Sequence, residues 1–360
     1  MKTTMKRQDG LTLVEMMIAM TLSVILLAGL AQIFNSNKLS FQMTNGIARV
    51  QESGRISMEF LGREIRSAGF MGCATGGFGT NFVNNVNVTK YSDSVLKAAL
   101  ALFDGNNSIT GFNDITTIAS GSTLADFGLS MGSATGNVVS GTDAVLFQGT
   151  SPCPGGAVKD HNQGSAQIKI EDATACGIEK DEIVVVSNCN TADAFGVVNA
   201  TSGGGAAGDT LSHGASLNIG PKLANSYDNK SFIYKMKSTL FYIGVGASGE
   251  PALYMKTLTS AANTNPYQTM ELAEGIEDFQ LLYGEDTSND GSVNRYVTSD
   301  VVTDMNAVKS IKVRLLARSA DRASPDIVQT TSFEGATVVS NDARYRKPYE
   351  STITIRNRVR

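Results

Sequence analysis

Glu15 is the first residue whose chemistry needs a reason. It is the only charge between Asp9 and Lys38, in the run "GLTLVEMMIAMTLSVILLAGLAQIF" from Gly10 to Phe34. A carboxylate at the start of a membrane-length apolar stretch is costly, and such a residue marks a function with a partner to be found. Four cysteines follow: Cys73, Cys153, Cys176 and Cys189. None is part of a C-x-x-C pair, and His161 and His213 lie far apart in loop-like sequence without ligand spacing. A zinc site is therefore not expected. An even cysteine count in an exported chain predicts two disulfides. Three connectivities are possible. Cys176–Cys189 is the expected pair because it closes a short loop around "IVVVS", which leaves Cys73–Cys153.

One loop carries ion chemistry. In "YGEDTSNDGSVNRYV", Asp286, Ser288, Asp290 and Ser292 alternate around Gly291, with Asn294 following. Oxygen donors at alternate positions resemble the first half of an EF-hand loop and could hold Ca²⁺. The bidentate glutamate is missing, because the twelfth place is Val297. The competing reading is a polar turn whose side chains bond their own backbone. No G-x-S-x-G, P-loop or dinucleotide fingerprint is present. With no nucleophile and base in reach of one another, the chain reads as non-enzymatic, with no required cofactor.

The elements that would position these residues begin with the N-terminus. Lys2, Lys6 and Arg7 precede the apolar run, opposed only by Asp9. By the positive-inside rule the N-terminus stays cytoplasmic and the rest is exported. A secretory signal cleaved after "GLA" near Ala31, a plain anchor, and a signal cut before the apolar run all compete. Only the third has a use for Glu15, because a cut between Gly10 and Leu11 keeps the run and creates an α-amino group four residues before Glu15 that can pair with it in a neighbouring subunit. The helical pattern then continues. Met43, Ile47, Val50, Gly54, Met58, Leu61, Ile65 and Ala68 form one stripe at steps of three and four. Arg49, Glu52, Arg55, Glu59, Arg63 and Glu64 fall largely off it, with Glu59 and Arg63 in favourable i, i+4 order. Gly54 interrupts the stripe, and Gly69 supplies a stop.

Beyond residue 76 the chain is rich in Gly, Asn, Ser and Thr as far as Gly141. This predicts loops with one helix over Ser94–Phe103. Strands are expected at "AVLFQ", "EIVVVS", "SFIYKM", "TLFYIGV", "ALYMKTL", "FQLLYG", "KSIKVRLLARS" and "STITIRNRV", with a hairpin around "GASGEP". Alternation in "SIKVRLLA" predicts a sheet with one polar face. The fold class is α+β: a long N-terminal helix packed on a mainly antiparallel β head. The divisions are a leader over 1–10, a transmembrane helix over 11–34, its amphipathic continuation over 35–69, and the head over 70–360.

"GLTLVEMMIAM" resembles the type IV prepilin motif of glycine, apolar residue, Thr-Leu and glutamate. The following "IARVQESGRISMEFLGREIRSAGFMGC" and the closing "YRKPYESTITIRNRVR" are similar to PilW-type minor pilins, which also resemble the J-type pseudopilins of type II secretion. Leu11 stands where phenylalanine or methionine is usual. The resemblance implies cleavage between Gly10 and Leu11 by a prepilin peptidase and N-methylation of Leu11. The new Leu11 amine would pair with Glu15 of a neighbouring subunit, which supplies the missing partner. It further implies a minor pilin that primes or joins a type IV pilus, the alternative being a J-type pseudopilin. Expected partners are other minor pilins, the major pilin and a tip adhesin. The expected location is the inner membrane, with the head periplasmic, and then the pilus at the cell surface. The net charge of −4 gives no general reason for a nucleic-acid partner. The end from Lys309 to Arg360 is nonetheless basic, with 11 basic against 5 acidic residues.

Overall fold

The structure, a computed structural model, describes residues 10, 12–72, 82–103, 108–203, 208–261, 266–320 and 328–359. Helix α1 (Leu13–Ser67) is continuous for 55 residues, about 80 Å. Ala68 caps it and Gly69 turns the chain out with φ of 73°. The head carries β1 (Phe82–Asn84), α2 (Ser94–Leu102), β2 (Ile109–Ile115), α3 (Thr123–Asp126), β3 (Thr142–Gly156), β4 (Gln167–Ile170) and β5 (Ile183–Ser187). There follow β6 (Ala192–Gly196), β7 (Asn199–Thr201), β8 (Asp209–Ser212), β9 (Phe232–Val245), β10 (Pro251–Leu258), β11 (Tyr267–Glu274) and β12 (Ile276–Glu285). The last strands are β13 (Arg295–Val297), β14 (Val308–Arg318), β15 (Gln329–Phe333), β16 (Ala336–Ser340) and β17 (Arg346–Thr354).

Strand β9 is the spine of the larger sheet. One edge pairs with β3, which pairs onward with β2. Along the other edge, its first residues pair with β5, and its second half with β10. The sheet therefore forks into β5–β6–β1 and β10–β11, and only β1–β6 is parallel. The sequence suggests two strands here, because Lys237 and Ser238 break the apolar run. The ladder continues through both, and Ser238 is fully buried. A second sheet runs β13–β12–β14–β17, all antiparallel. Lys312 and Arg314 on β14 reach Glu350 on its polar face, as the alternation predicts. Strand β2 lies in sequence that reads as loop. Its ladder to β3, not its composition, makes it a strand.

The two faces of the larger sheet bury different cores. Val145, Phe147, Phe241 and Ile243 face the second sheet and helix α1. Leu146, Leu240 and Tyr242 face α2 and α3. On β5 the alternation splits again: Val184 and Val186 pack against Ile168 and Leu211 of the small β4–β8–β7 sheet.

The C-terminal half of α1 docks along β17 in matched steps. Ser319, whose backbone N–H donates to Tyr345, packs on Gly46. Tyr349 packs on Gly54, and Ile353 on Gly62. Asn357 then donates its amide to the terminal carbonyl of Ala68 at 3.0 Å. Four strand residues advance about 13.6 Å and eight helical residues about 12 Å, so the two elements stay in register. Val50, Leu61 and Ile65 complete the buried face, while Met43 remains exposed. Glu64 departs from the expected stripe. It is 4% exposed and takes an ion pair from Lys237 on β9 at 2.6 Å. The expected Glu59–Arg63 pair gives way to Arg55–Glu59 at 3.7 Å.

The expected Cys176–Cys189 bridge does not form. Cys153, at the end of β3, is bonded to Cys176. Tertiary pairing overrides the short-loop argument, because β3 runs on past its paired core and brings Cys153 to the 171–178 turn. Cys189 is also disulfide-bonded. Cys73 lies outside the described residues.

Candidate assembly site

The apolar half of α1 has no cover. From Thr12 to Phe41 every side chain is exposed, including Leu13, Val14, Met17, Ile18, Leu26, Leu27 and Phe34. Leaving so many large apolar groups in water would cost on the order of 20 kcal/mol. Residues 13–34 span about 33 Å along the helix, enough for a hydrocarbon core. By length and composition this half fits a membrane anchor.

At its start the sequence "TLVE" builds a capping box. Glu15 N–H donates to the Thr12 hydroxyl oxygen at 3.3 Å. In return the Thr12 N–H and hydroxyl both donate to Glu15 Oε2 at 2.9 Å. This satisfies otherwise orphaned donors at the helix N-terminus. Among the described residues nothing bonds Glu15 Oε1, so one carboxylate oxygen remains to accept a donor from another chain. Thr12 was not singled out from the sequence, although S/T-x-x-E before an apolar run is a capping signature. Gly10 is exposed, and Leu11 lies outside the described residues.

The other sequence-flagged residues lie in the head. In the Asp286 loop the acceptors bond the loop's own donors. Asp286 accepts from the N–H groups of Asp290 and Gly291, Asp290 from that of Ser292, and Asn294 from those of Thr287 and Ser288. Lys309 approaches Asp286 at 3.9 Å. Among the described residues no group of three or more His, Cys, Asp or Glu is placed to hold a metal. The two histidines, far apart in sequence, meet. Their rings are 5.3 Å apart in the core between Tyr227 and Phe195. Neither ring nitrogen of His213 has a hydrogen-bond partner among the described residues. Burial, with His161 alongside, depresses the pKa of His213 to about 4.

A continuous helix, bare and apolar for one half and docked on a β head for the other, defines a pilin-like protein. Its start matches the prokaryotic N-terminal methylation motif over residues 5–31. Residues 240–357 match the model of type IV pilus-assembly protein W, and this stretch contains β14 and β17, which α1 packs against. Together the two matches, which span about a third of the chain and its N-terminus, support a PilW-type, pilin-like protein with a function related to type IV pili. No curated protein matches it. No solved structure matches it.

Proposed function

We propose that this chain is a minor pilin, a structural subunit that primes or enters a type IV pilus and carries out no catalysis. The observation that carries the proposal is the division of α1 into a naked apolar half headed by Thr12 and Glu15 and a half locked to the head. In this reading a prepilin peptidase cuts between Gly10 and Leu11, and Leu11 is N-methylated. The head lies in the periplasm while the helix is in the inner membrane. During assembly the apolar half exchanges lipid for the helices of other minor pilins and the major pilin, and a tip adhesin joins the same complex. The Leu11 amine of one subunit meets the free Oε1 of Glu15 on another. Pairing the two removes the cost of holding either charge in apolar surroundings.

The test is deletion of the gene, followed by pilus shearing and a type II secretion assay. Loss of pili with intact secretion is the expected result. Lost secretion with intact pili would make the chain a J-type pseudopilin. Glu15→Ala should be processed normally and accumulate in the membrane but be missing from sheared pili. Its normal incorporation would end the pairing mechanism.

A further inference from the structure

A basic cleft lies where α1 ends against the C-terminal segment, at the opposite end of the helix from Glu15. It is lined by Arg63, Arg66, Ser67, Phe70, Arg356 and Asn357, with a volume of about 410 Å³. Three guanidinium groups share it, and among the described residues no carboxylate lines it. Among the described residues neither Arg66 nor Arg356 forms an ion pair. Like charges so gathered repel, so an anion seated between them would relieve the repulsion as well as bind.

Two of the three arginines lie against the surface of α1. The Arg66 guanidinium folds back over Gly62, with Nη1 3.2 Å from where a side-chain carbon would begin. Glycine at 62 thus makes room for the group. Arg63 sits 4.9 Å over the Phe60 ring, with its Nε 3.6 Å from buried Glu64. Glu64 gives its other oxygen to Lys237 at 2.6 Å, so its single charge is shared between Arg63 and Lys237, and Arg66 and Arg356 have no part in it. Asn357 anchors the other wall by donating to the α1 terminus. Planar guanidinium groups favour bidentate partners such as carboxylates.

We propose that this cleft is an intersubunit site that takes an acidic segment of a neighbouring pilin head. The proposal rests on the pilin reading above. The carboxylate partner is favoured over a nucleic acid by scale. The cleft is small, about 410 Å³, and gathers three arginines at one spot. A phosphate backbone needs a longer basic track to gain affinity.

The test uses the full chain in detergent, with labelled hexaglutamate as probe and a short single-stranded oligonucleotide as comparison. Wild type should bind hexaglutamate, and Arg66→Gln/Arg356→Gln should weaken binding at least about tenfold, or about 1.4 kcal/mol. Arg49→Gln/Arg55→Gln, on the same helix but outside the cleft, should bind as wild type does. Equal binding by wild type and the Arg66/Arg356 variant would overturn the site. So would oligonucleotide binding that depends on these two arginines without hexaglutamate binding. In cells the Arg66/Arg356 variant should keep its membrane level and be depleted from sheared pili, and its normal incorporation would overturn the partner. Absence of the wild type itself from pili would fail the pilin reading, leaving the binding result to stand alone.

Discussion

The ring of Tyr349 lies directly on Gly54, and its hydroxyl donates to the carbonyl of Val50 at 3.2 Å. One glycine in the helix and one tyrosine in the last strand thereby fix how α1 meets the head. A side-chain carbon at 54 would overlap the ring. Gly54→Ala should therefore destabilise the head by about 1–3 kcal/mol, although alanine is the better helix former by ~1 kcal/mol. Thermal unfolding of the full chain in detergent checks this. In a Tyr349→Ala background the same change should cost much less, and strict additivity would show that the two residues are not coupled.

The buried charge on Glu64 gives a second test. Lys237→Met leaves that carboxylate without its 2.6 Å partner. Stability should fall by about 2 kcal/mol, below the range for a fully buried pair because Lys237 is partly exposed. Adding Glu64→Gln should recover part of the loss. A larger loss in the double variant would contradict the pairing.

Peptide mapping without reduction should yield a Cys153–Cys176 peptide and no alkylatable thiol. A Cys176–Cys189 peptide would refute the assigned connectivity. Replacing Cys153 and Cys176 together by serine should lower stability by about 2–4 kcal/mol.

The histidine pair predicts acid sensitivity. The pKa of His213 lies at about 4 in the folded head against 6.5 ordinarily, because burial and His161 disfavour its charged form. His161 is shifted in the same direction, with Asp193 opposing. The unfolded chain therefore binds more protons between those values. This contribution to stability is intact above pH 6.5 and lost as pH falls towards 4, by about 2–3 kcal/mol for His213. Asp143 works the other way. Burial raises it to about 7, so protonating it as pH falls favours the folded state. His213→Phe should flatten the loss between pH 6.5 and 4.5. An unchanged pH profile would show that the pair does not control it.

For the Asp286 loop, whose acceptors are already met by its own N–H groups, calcium should leave the melting temperature of chelator-treated protein unchanged. A rise that Asp290→Ala abolishes would instead reveal a cation site.

Local pattern alone determined the long helix, its exposed apolar half, its stop at Gly69 and the hairpin of β9 with β10. Period 3.6, period 2 and a glycine stop act over neighbouring residues and need no tertiary partner to be read. The same holds for the Thr12–Glu15 capping box, which the sequence contains although its glutamate alone drew attention. Tertiary structure decided the rest. Gly54 reads as a break in a stripe until Tyr349, nearly three hundred residues on, fills the gap. Glu64 reads as a solvated charge until β9 brings Lys237 to it. Cys176 takes Cys153 instead of its nearer neighbour Cys189 because strand pairing, not loop length, sets which thiols meet. His161 and His213 are loop residues in sequence and ring partners in space. Each of these depends on contacts between segments distant in the chain, and the energy of such contacts is a property of the packed fold.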